Sequence, residues 1–226
     1  MTGQGHDIAE AIARYHAELD PLGVALVAVS KFHPVESVEA AYGAGQRIFG
    51  ESRAQELTAK APALPDDVAW HFIGHLQTNK VRQVVGRATL IQSVDSLRLL
   101  DAIDADARRQ GVTARVLMQV HVAAEETKTG FSTEELYDYF GNERHASLTN
   151  THLCGMMAMA TNTDDMRRVE ADFRQARAAF DRIREWGGLR GFDTLSMGMS
   201  HDYRLAVECG STMVRIGTDI FGEREY

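Results

Sequence analysis

Residues 23–31 read GVALVAVSK. A run that is apolar at successive positions, instead of alternating with polar residues, suits a strand covered on both faces, as in parallel sheets flanked by helices. A chain containing it must supply helices to cover two faces. The run also ends on a charge, Lys31. A lysine there is either a solvated group marking where the strand leaves the core or an amine delivered to a particular place.

The rest of the chain supplies those helices in strict alternation with further strands. Residues 8–19 place Ile8, Ile12, Tyr15 and Leu19 at helical spacing, and Asp20-Pro21-Leu22-Gly23 stops that helix before the first strand. Beyond Lys31 the pattern predicts strands over 47–49, 69–73, 89–94, 115–120, 152–157, 194–196 and 213–216. Helices are expected over 34–44, 54–61, 77–85, 96–110, 133–140, 164–186 and 201–208. Eight strands with intervening helices make an α/β (β/α)8 TIM barrel. The competing open, doubly wound sheet ordinarily carries GxGxxG after its first strand, and this chain does not. Few residues follow the last strand, too few for a full eighth helix, so the opening helix is expected to fill that gap. With 4 prolines and no linker or repeat, residues 1–226 are expected to form one domain.

Composition removes several function classes. A net charge of −8 does not suit a nucleic-acid surface, which needs a basic stripe. Cys154 and Cys209 have no CxxC spacing, so neither a disulfide framework nor a zinc site is expected. The polar start MTGQGHD lacks a secretory pattern, and no apolar run approaches the roughly 20 residues of a membrane helix. The expectation is a cytoplasmic monomer with no membrane contact.

In a (β/α)8 barrel the reactive face is built from the carboxyl ends of the strands, where Lys31 falls. Desolvation disfavours the ammonium form and makes such an amine available to an aldehyde. The turns after strands seven and eight, SMGMSHD (196–202) and GTDIFG (217–222), are rich in small and hydroxyl-bearing residues, and phosphate sites on this fold lie at these two turns. Ser200 and Thr218 could donate to a phosphate, or the segments could be plain helix caps with Ser200 as an N-cap. Arg215 interrupts the apolar strand MVRIG and needs an acceptor, either a carboxylate on a neighbouring strand or a ligand. An imine-forming lysine, a phosphate cup and a partner for a ring nitrogen together describe a pyridoxal-phosphate pocket.

His71 and His75 flank a strand end and share no helix face, so no metal site is expected. Met156, Met157 and Met159 suit core filling, and Glu125, Glu126, Asp164 and Asp165 suit loop and helix-start charges.

Six motifs carry a resemblance over nearly the whole length: VAVSK ending at Lys31, IFGESRAQE (48–56), WHFIGHLQTNK (70–80), SVDS (93–96), LSMGMSHD (195–202) and VRIGTDIFG (214–222). By these the chain resembles the YggS/PROSC-type pyridoxal phosphate homeostasis proteins, the PLPBP family. The resemblance implies the barrel of the amino-terminal domain of alanine racemases, with pyridoxal 5'-phosphate held as a Schiff base on Lys31. It implies phosphate contacts near Met199, Ser200, Gly217 and Thr218, and Arg215 at the pyridine nitrogen. It implies vitamin B6 homeostasis without an established turnover reaction, with apo forms of enzymes that use the cofactor as candidate recipients. Family members commonly have asparagine where this chain has Ser52, and proline at the place of His75, so Ser52 is not counted in the site. Lys128, in the loop 122–131, is expected to be a solvated charge. The alternative reading is an amino-acid racemase. Resembling racemases draw a second acid/base from a separate domain, of which this chain has no counterpart, and an arginine at the ring nitrogen weakens the electron sink that carbanion chemistry uses. A lysine aldolase acting on sugar phosphates would use the same lysine and cup without a cofactor.

Overall fold

Eight short parallel strands close on one another in chain order, β1 pairing with β8 to complete the ring. The structure is a computed structural model that describes residues 7–125, 129–186 and 189–223. The strands are β1 (Ala25–Val29), β2 (Ile48–Glu51), β3 (Ala69–Phe72), β4 (Leu90–Val94), β5 (Ala114–His121), β6 (Thr151–Met159), β7 (Thr194–Ser196) and β8 (Met213–Ile216). The helices are α1 (Ile8–Leu19), α2 (Val35–Gly43), α3 (Ala54–Lys60), α4 (Val81–Val84), α5 (Leu97–Gln110), α6 (Thr133–Gly141), α7 (Met166–Glu185), α8 (Tyr203–Glu208) and α9 (Thr218–Phe221). The expected TIM barrel is therefore present. Among the described residues no helix is long and apolar enough to cross a membrane.

Side chains alternate across a strand, so each strand sends one set outward and one inward. The outward set joins the helices in a large apolar shell that includes Phe49, Phe72, Ile91, Leu100, Phe173 and Phe180. The inward set makes a smaller cluster of Val27, Leu90, Leu117, Cys154, Met157 and Met213. Packing on both faces explains why the strands read as continuous apolar runs. Helix starts follow local chemistry. Asp7 caps α1, Ser96 caps α5, Asp165 caps α7, and Ser132 with Glu135 forms a full capping box on α6.

The opening helix packs against α9, beside the last strand, as expected. Tyr15 of α1 donates to Asp219 of α9 at 2.8 Å, and Glu18 accepts from Tyr203 and Arg204 of α8. These bonds lay α1 across the β8–β1 seam. Most boundaries lie within two residues of the sequence reading, and two differences have a local cause. The helix expected over 77–85 is a 3-10 turn, Thr78–Lys80, followed by the single turn of α4, because Gly86 at φ 81° ends a valine-rich segment that propagates a helix poorly. The helix expected from residue 201 begins at Tyr203. Asp202 accepts the Met199 N–H at 2.6 Å and closes a turn ahead of it, so Ser200 is not the N-cap.

Gly155 marks the register shift between β5 and β6; its φ is 147°, and a Cβ there would lie 1.8 Å from the Thr194 carbonyl oxygen. Replacing Gly155 with alanine forces both an unfavourable backbone and a separation of β6 from β7. Urea denaturation of Gly155→Ala is expected to show a loss of about 3 kcal/mol or more. A loss below about 0.5 kcal/mol, the scale of a neutral surface change, would contradict this account of the register.

Candidate functional site

Lys31 does not lie in β1, which ends at Val29, but in the turn that follows, where it is half-buried. That turn is held by charged groups from β2 and α3. Ser30 donates its hydroxyl to Glu51 at 2.6 Å and its backbone N–H to the Gly50 carbonyl at 3.1 Å. The Lys60 ammonium donates to the Ser30 carbonyl at 2.8 Å, to Glu51 at 2.7 Å and to Glu56 at 3.4 Å. Glu56 also accepts the backbone N–H of Phe32 at 2.8 Å. Burial pushes the Glu51 carboxyl up to about 7, against the opposing pull of Lys60 and Ser30.

Arg215 points into the lumen from β8 and is almost completely buried, at 5% exposure. Its Nη1 donates to the Ser196 carbonyl at 3.0 Å and the Ser196 hydroxyl at 2.7 Å, and its Nη2 donates to the Ala158 carbonyl at 3.1 Å. Among the described residues no carboxylate lies within ion-pair distance of it. The carboxylate partner weighed from the sequence is therefore not there. Desolvation lowers its affinity for the proton to about 10, partly offset by the more distant charge of Asp202.

Because a guanidinium only donates, it sets the direction of the hydrogen bonds beyond it. The Ser196 hydroxyl accepts from Arg215 and donates to Gln92 Oε1 at 2.7 Å. Gln92 Nε2 then donates to His71 Nδ1 at 2.9 Å and to the Met213 sulfur at 3.2 Å. Strands β7 and β4 are not neighbours in the sheet, so the Ser196–Gln92 bond crosses the lumen. His71 must accept at Nδ1 and therefore stays neutral. Burial, reinforced by the charge of Arg115, lowers its pKa to about 3.

The turns after β7 and β8 stand at the same mouth. Gly198 has φ 97°, and a Cβ there would lie 2.6 Å from the Ala206 side chain, so glycine lets this turn press against α8. Gly217 lies against Val29 of β1, which brings the Thr218 turn beside the Lys31 turn. Ser200 and Gly217 are half-buried, whereas Met199 and Thr218 are exposed. The Met199 N–H is already taken by Asp202. Lys31, Ser200, Arg215, Gly217 and Thr218 thus belong to one mouth and the lumen beneath it, with Met199 at its edge.

Other candidates fall elsewhere. His75 is exposed and bonds Asp95 at 2.9 Å, far in role from buried His71, and the described residues contain no group of three or more His, Cys, Asp or Glu able to hold a metal. Ser52 shares a small outer groove of about 230 Å³ with Arg53, His75 and Lys80. Glu126 and Lys128 lie outside the described residues, while Glu125 accepts the Asn162 N–H and Asp165 caps α7. Sequence reasoning missed Ser30, Glu51, Glu56, Lys60, Gln92 and Ser196. A signal existed for some of them: Glu51 ends an apolar run as Lys31 does, and Glu56 and Lys60 are one helical turn apart.

The sequence matches the family described as "Alanine racemase, N-terminal domain" over residues 5–225. It is 40% identical over 202 residues to the pyridoxal phosphate homeostasis protein of Aquifex aeolicus, covering 89% of this chain and 87% of that one. PipY of Synechococcus elongatus PCC7942, solved with PLP bound, superposes with a TM-score of 0.86 at 36% identity, covering 95% of this chain and 100% of that one. The alanine racemase of Corynebacterium glutamicum shares the fold alone, with a TM-score of 0.75 at 17% identity over 95% of this chain and 62% of the racemase.

The neutral state imposed on His71 has a signature in pH. Stability that depends on its low pKa is present above about 6.5 and is lost as pH falls toward about 3. Glu51 acts in the opposite sense, its contribution being lost as pH rises from 4.5 through about 7, so the two oppose each other in the whole protein. Asparagine at position 71 keeps an acceptor for Gln92 but does not titrate. Wild-type stability relative to His71→Asn should fall with decreasing pH in that window, with a limiting slope of about 1.4 kcal/mol per pH unit. Parallel pH curves for the two proteins would refute the neutral, buried assignment.

Proposed function

This chain belongs to the pyridoxal phosphate homeostasis proteins, and we propose that it binds pyridoxal 5'-phosphate as a Schiff base on Lys31, holding and releasing the cofactor without turnover. The observation that carries the reading is Arg215: a nearly buried cation that donates to three neutral oxygens, leaving Nε–H and one Nη2–H for an electron-rich acceptor in the lumen mouth. A pyridine nitrogen is such an acceptor. The remaining donors suit the rest of the molecule. Ser200 and Thr218 offer hydroxyls to a phosphate at the turns where this fold binds one, with backbone near Gly217 approaching closely, and Met199 flanks the cup. Lys31, on the adjoining turn, is the amine for the aldehyde.

When bound, the cofactor supplies an aldehyde and a ring whose electron-withdrawing power depends on protonation of its nitrogen. Arg215 holds its own protons and lends none, so it keeps that nitrogen unprotonated and disfavours carbanion chemistry. This weighs against racemase or transaminase turnover. The residues 1–226 then serve as one cofactor-binding domain that limits free aldehyde and passes the cofactor to apo-enzymes. The buried, unpaired thiols Cys154 and Cys209 suit the cytoplasm.

Borohydride reduction of the loaded protein followed by peptide mapping is expected to place the pyridoxyl group on Lys31, and Lys31→Ala should lose the imine absorption. A full label on another lysine would overturn the assignment. The Ser200→Ala/Thr218→Ala double variant should bind more weakly by about 1.5–3 kcal/mol, since backbone donors remain; unchanged affinity would exclude the hydroxyls. Incubation with L-alanine in deuterated water should give no α-deuteration at enzyme rates of roughly 1–1000 per second. Exchange at such rates, abolished in Lys31→Ala, would make the protein an enzyme.

A further inference from the structure

The residues on either side of Lys31 are bonded by charged side chains that are not among those proposed to hold the cofactor. Lys60 has three ammonium protons and three acceptors: the Ser30 carbonyl, Glu51 and Glu56. Ser30 is held a second time, by its hydroxyl bond to Glu51. On the other side, Phe32 stands at φ 67°, a left-handed conformation that is unfavourable for a bulky aromatic residue unless its surroundings hold it there. The turn is closed by the His33 N–H, which donates to the Ser30 carbonyl at 3.1 Å, and is tied to α3 by the 2.8 Å bond from the Phe32 N–H to Glu56. Its ring lies under the Arg53 guanidinium at 4.5 Å, and His33 packs against Phe221 of α9 at 5.2 Å. Glu56 and Lys60 sit four residues apart on α3, and Glu51 ends β2, so one helix and one strand together grip the peptide units flanking Lys31.

Burying Glu51 and Lys60 beside the half-buried Glu56 is costly, and apolar residues of similar size would often pack as stably. Glu51 is wholly buried and its Oε2 has no hydrogen-bond partner, a further cost that stability alone does not explain. What the arrangement does provide is orientation. It fixes the path of the Lys31 backbone, and with it the direction from which the amine reaches an aldehyde.

We propose that Glu56 and Lys60, with Glu51, are positioning residues for Lys31: they hold its turn so that its amine reaches the cofactor aldehyde in a reactive geometry. The proposal rests on the Lys31 assignment above. The step concerned forms the C–N double bond between the amine nitrogen and the aldehyde carbon, and the aldehyde oxygen leaves as water with the two amine protons. Misplacement of a reacting group by about an ångström costs on the order of a hundredfold in rate. Loss of one of several holding bonds should cost less, about tenfold.

The test compares Glu56→Ala, Glu56→Gln and Lys60→Met with the wild type. Three measurements are made: the rate of imine formation on mixing with pyridoxal 5'-phosphate, the affinity for pyridoxine 5'-phosphate, and amide exchange of residues 29–33 in the cofactor-free protein. Pyridoxine 5'-phosphate has an alcohol in place of the aldehyde, so it reports the pocket without the lysine. Glu56→Ala should slow imine formation about tenfold, speed exchange at Phe32, and leave pyridoxine 5'-phosphate affinity within about twofold. Glu56→Gln keeps an acceptor for the Phe32 N–H and should recover most of the rate. Glu56 is partly exposed, so this pair decides the matter even if Lys60→Met does not fold. The proposal is overturned if the imine rate in Glu56→Ala is unchanged, or if both ligands weaken in parallel. Mapping the reduced wild-type protein separates the two readings. A label absent from Lys31 removes the cofactor assignment and this proposal with it, whereas a label on Lys31 with unaffected variants removes this proposal alone.

Discussion

A guanidinium cannot shed its proton inside a protein, so the fold that buries Arg215 has to bring acceptors to it. The barrel does so with the Ser196 carbonyl and hydroxyl and the Ala158 carbonyl, none of them charged. The consequences run across the lumen. The Ser196 hydroxyl has to donate onward, Gln92 has to accept with its oxygen and donate with its nitrogen, and His71 has to accept and remain neutral. Beside this row the lumen holds the apolar cluster around Val27, Leu117 and Met157, with Arg115 donating to the Cys154 sulfur at 3.4 Å. A single row of polar side chains, each satisfied by the next, lets a cation sit in an interior otherwise packed like any other core.

Barrel closure and the candidate site depend on the same seam. Val27 pairs with Arg215 in the β1–β8 ladder, and two residues further up the seam Val29 meets Gly217. The turns that carry Lys31 and Thr218 are neighbours only because the last strand returns to the first. The helix α1 covers that seam from outside, bonded to α8 and α9 by Glu18 and Tyr15. An opened barrel would separate the Lys31 amine from the Thr218 turn and from Arg215 together, so binding of the proposed cofactor in the mouth should be linked to closure of the whole ring.

The eight strands were legible because two-sided burial leaves unbroken apolar runs, and the lone charges in or beside those runs, Lys31 and Arg215, stood out for the same reason. Their order along the chain was enough to place both at one mouth. What the sequence could not show was how each charge is held. The acceptors of Arg215 come from β6 and β7, and the supports of the Lys31 turn come from β2 and α3, contacts that only the closed fold brings together. Ser196 read as part of a small, hydroxyl-rich turn and proved to be a lumen residue. Boundaries failed where a side chain captured a backbone group, as Asp202 does at Met199, because local periodicity carries no information about such bonds.

The central claim is that Arg215 donates to the ring nitrogen of the bound cofactor. The most direct measurement is the 15N NMR shift of ring-labelled pyridoxal 5'-phosphate bound to the protein, followed across neutral pH. A nitrogen that accepts a hydrogen bond from a cation should resonate as an unprotonated pyridine throughout, and its shift should change when Arg215 is replaced by methionine. A pyridinium-like shift in the wild-type protein, or one indifferent to Arg215→Met in a variant that still loads the cofactor, would contradict the account.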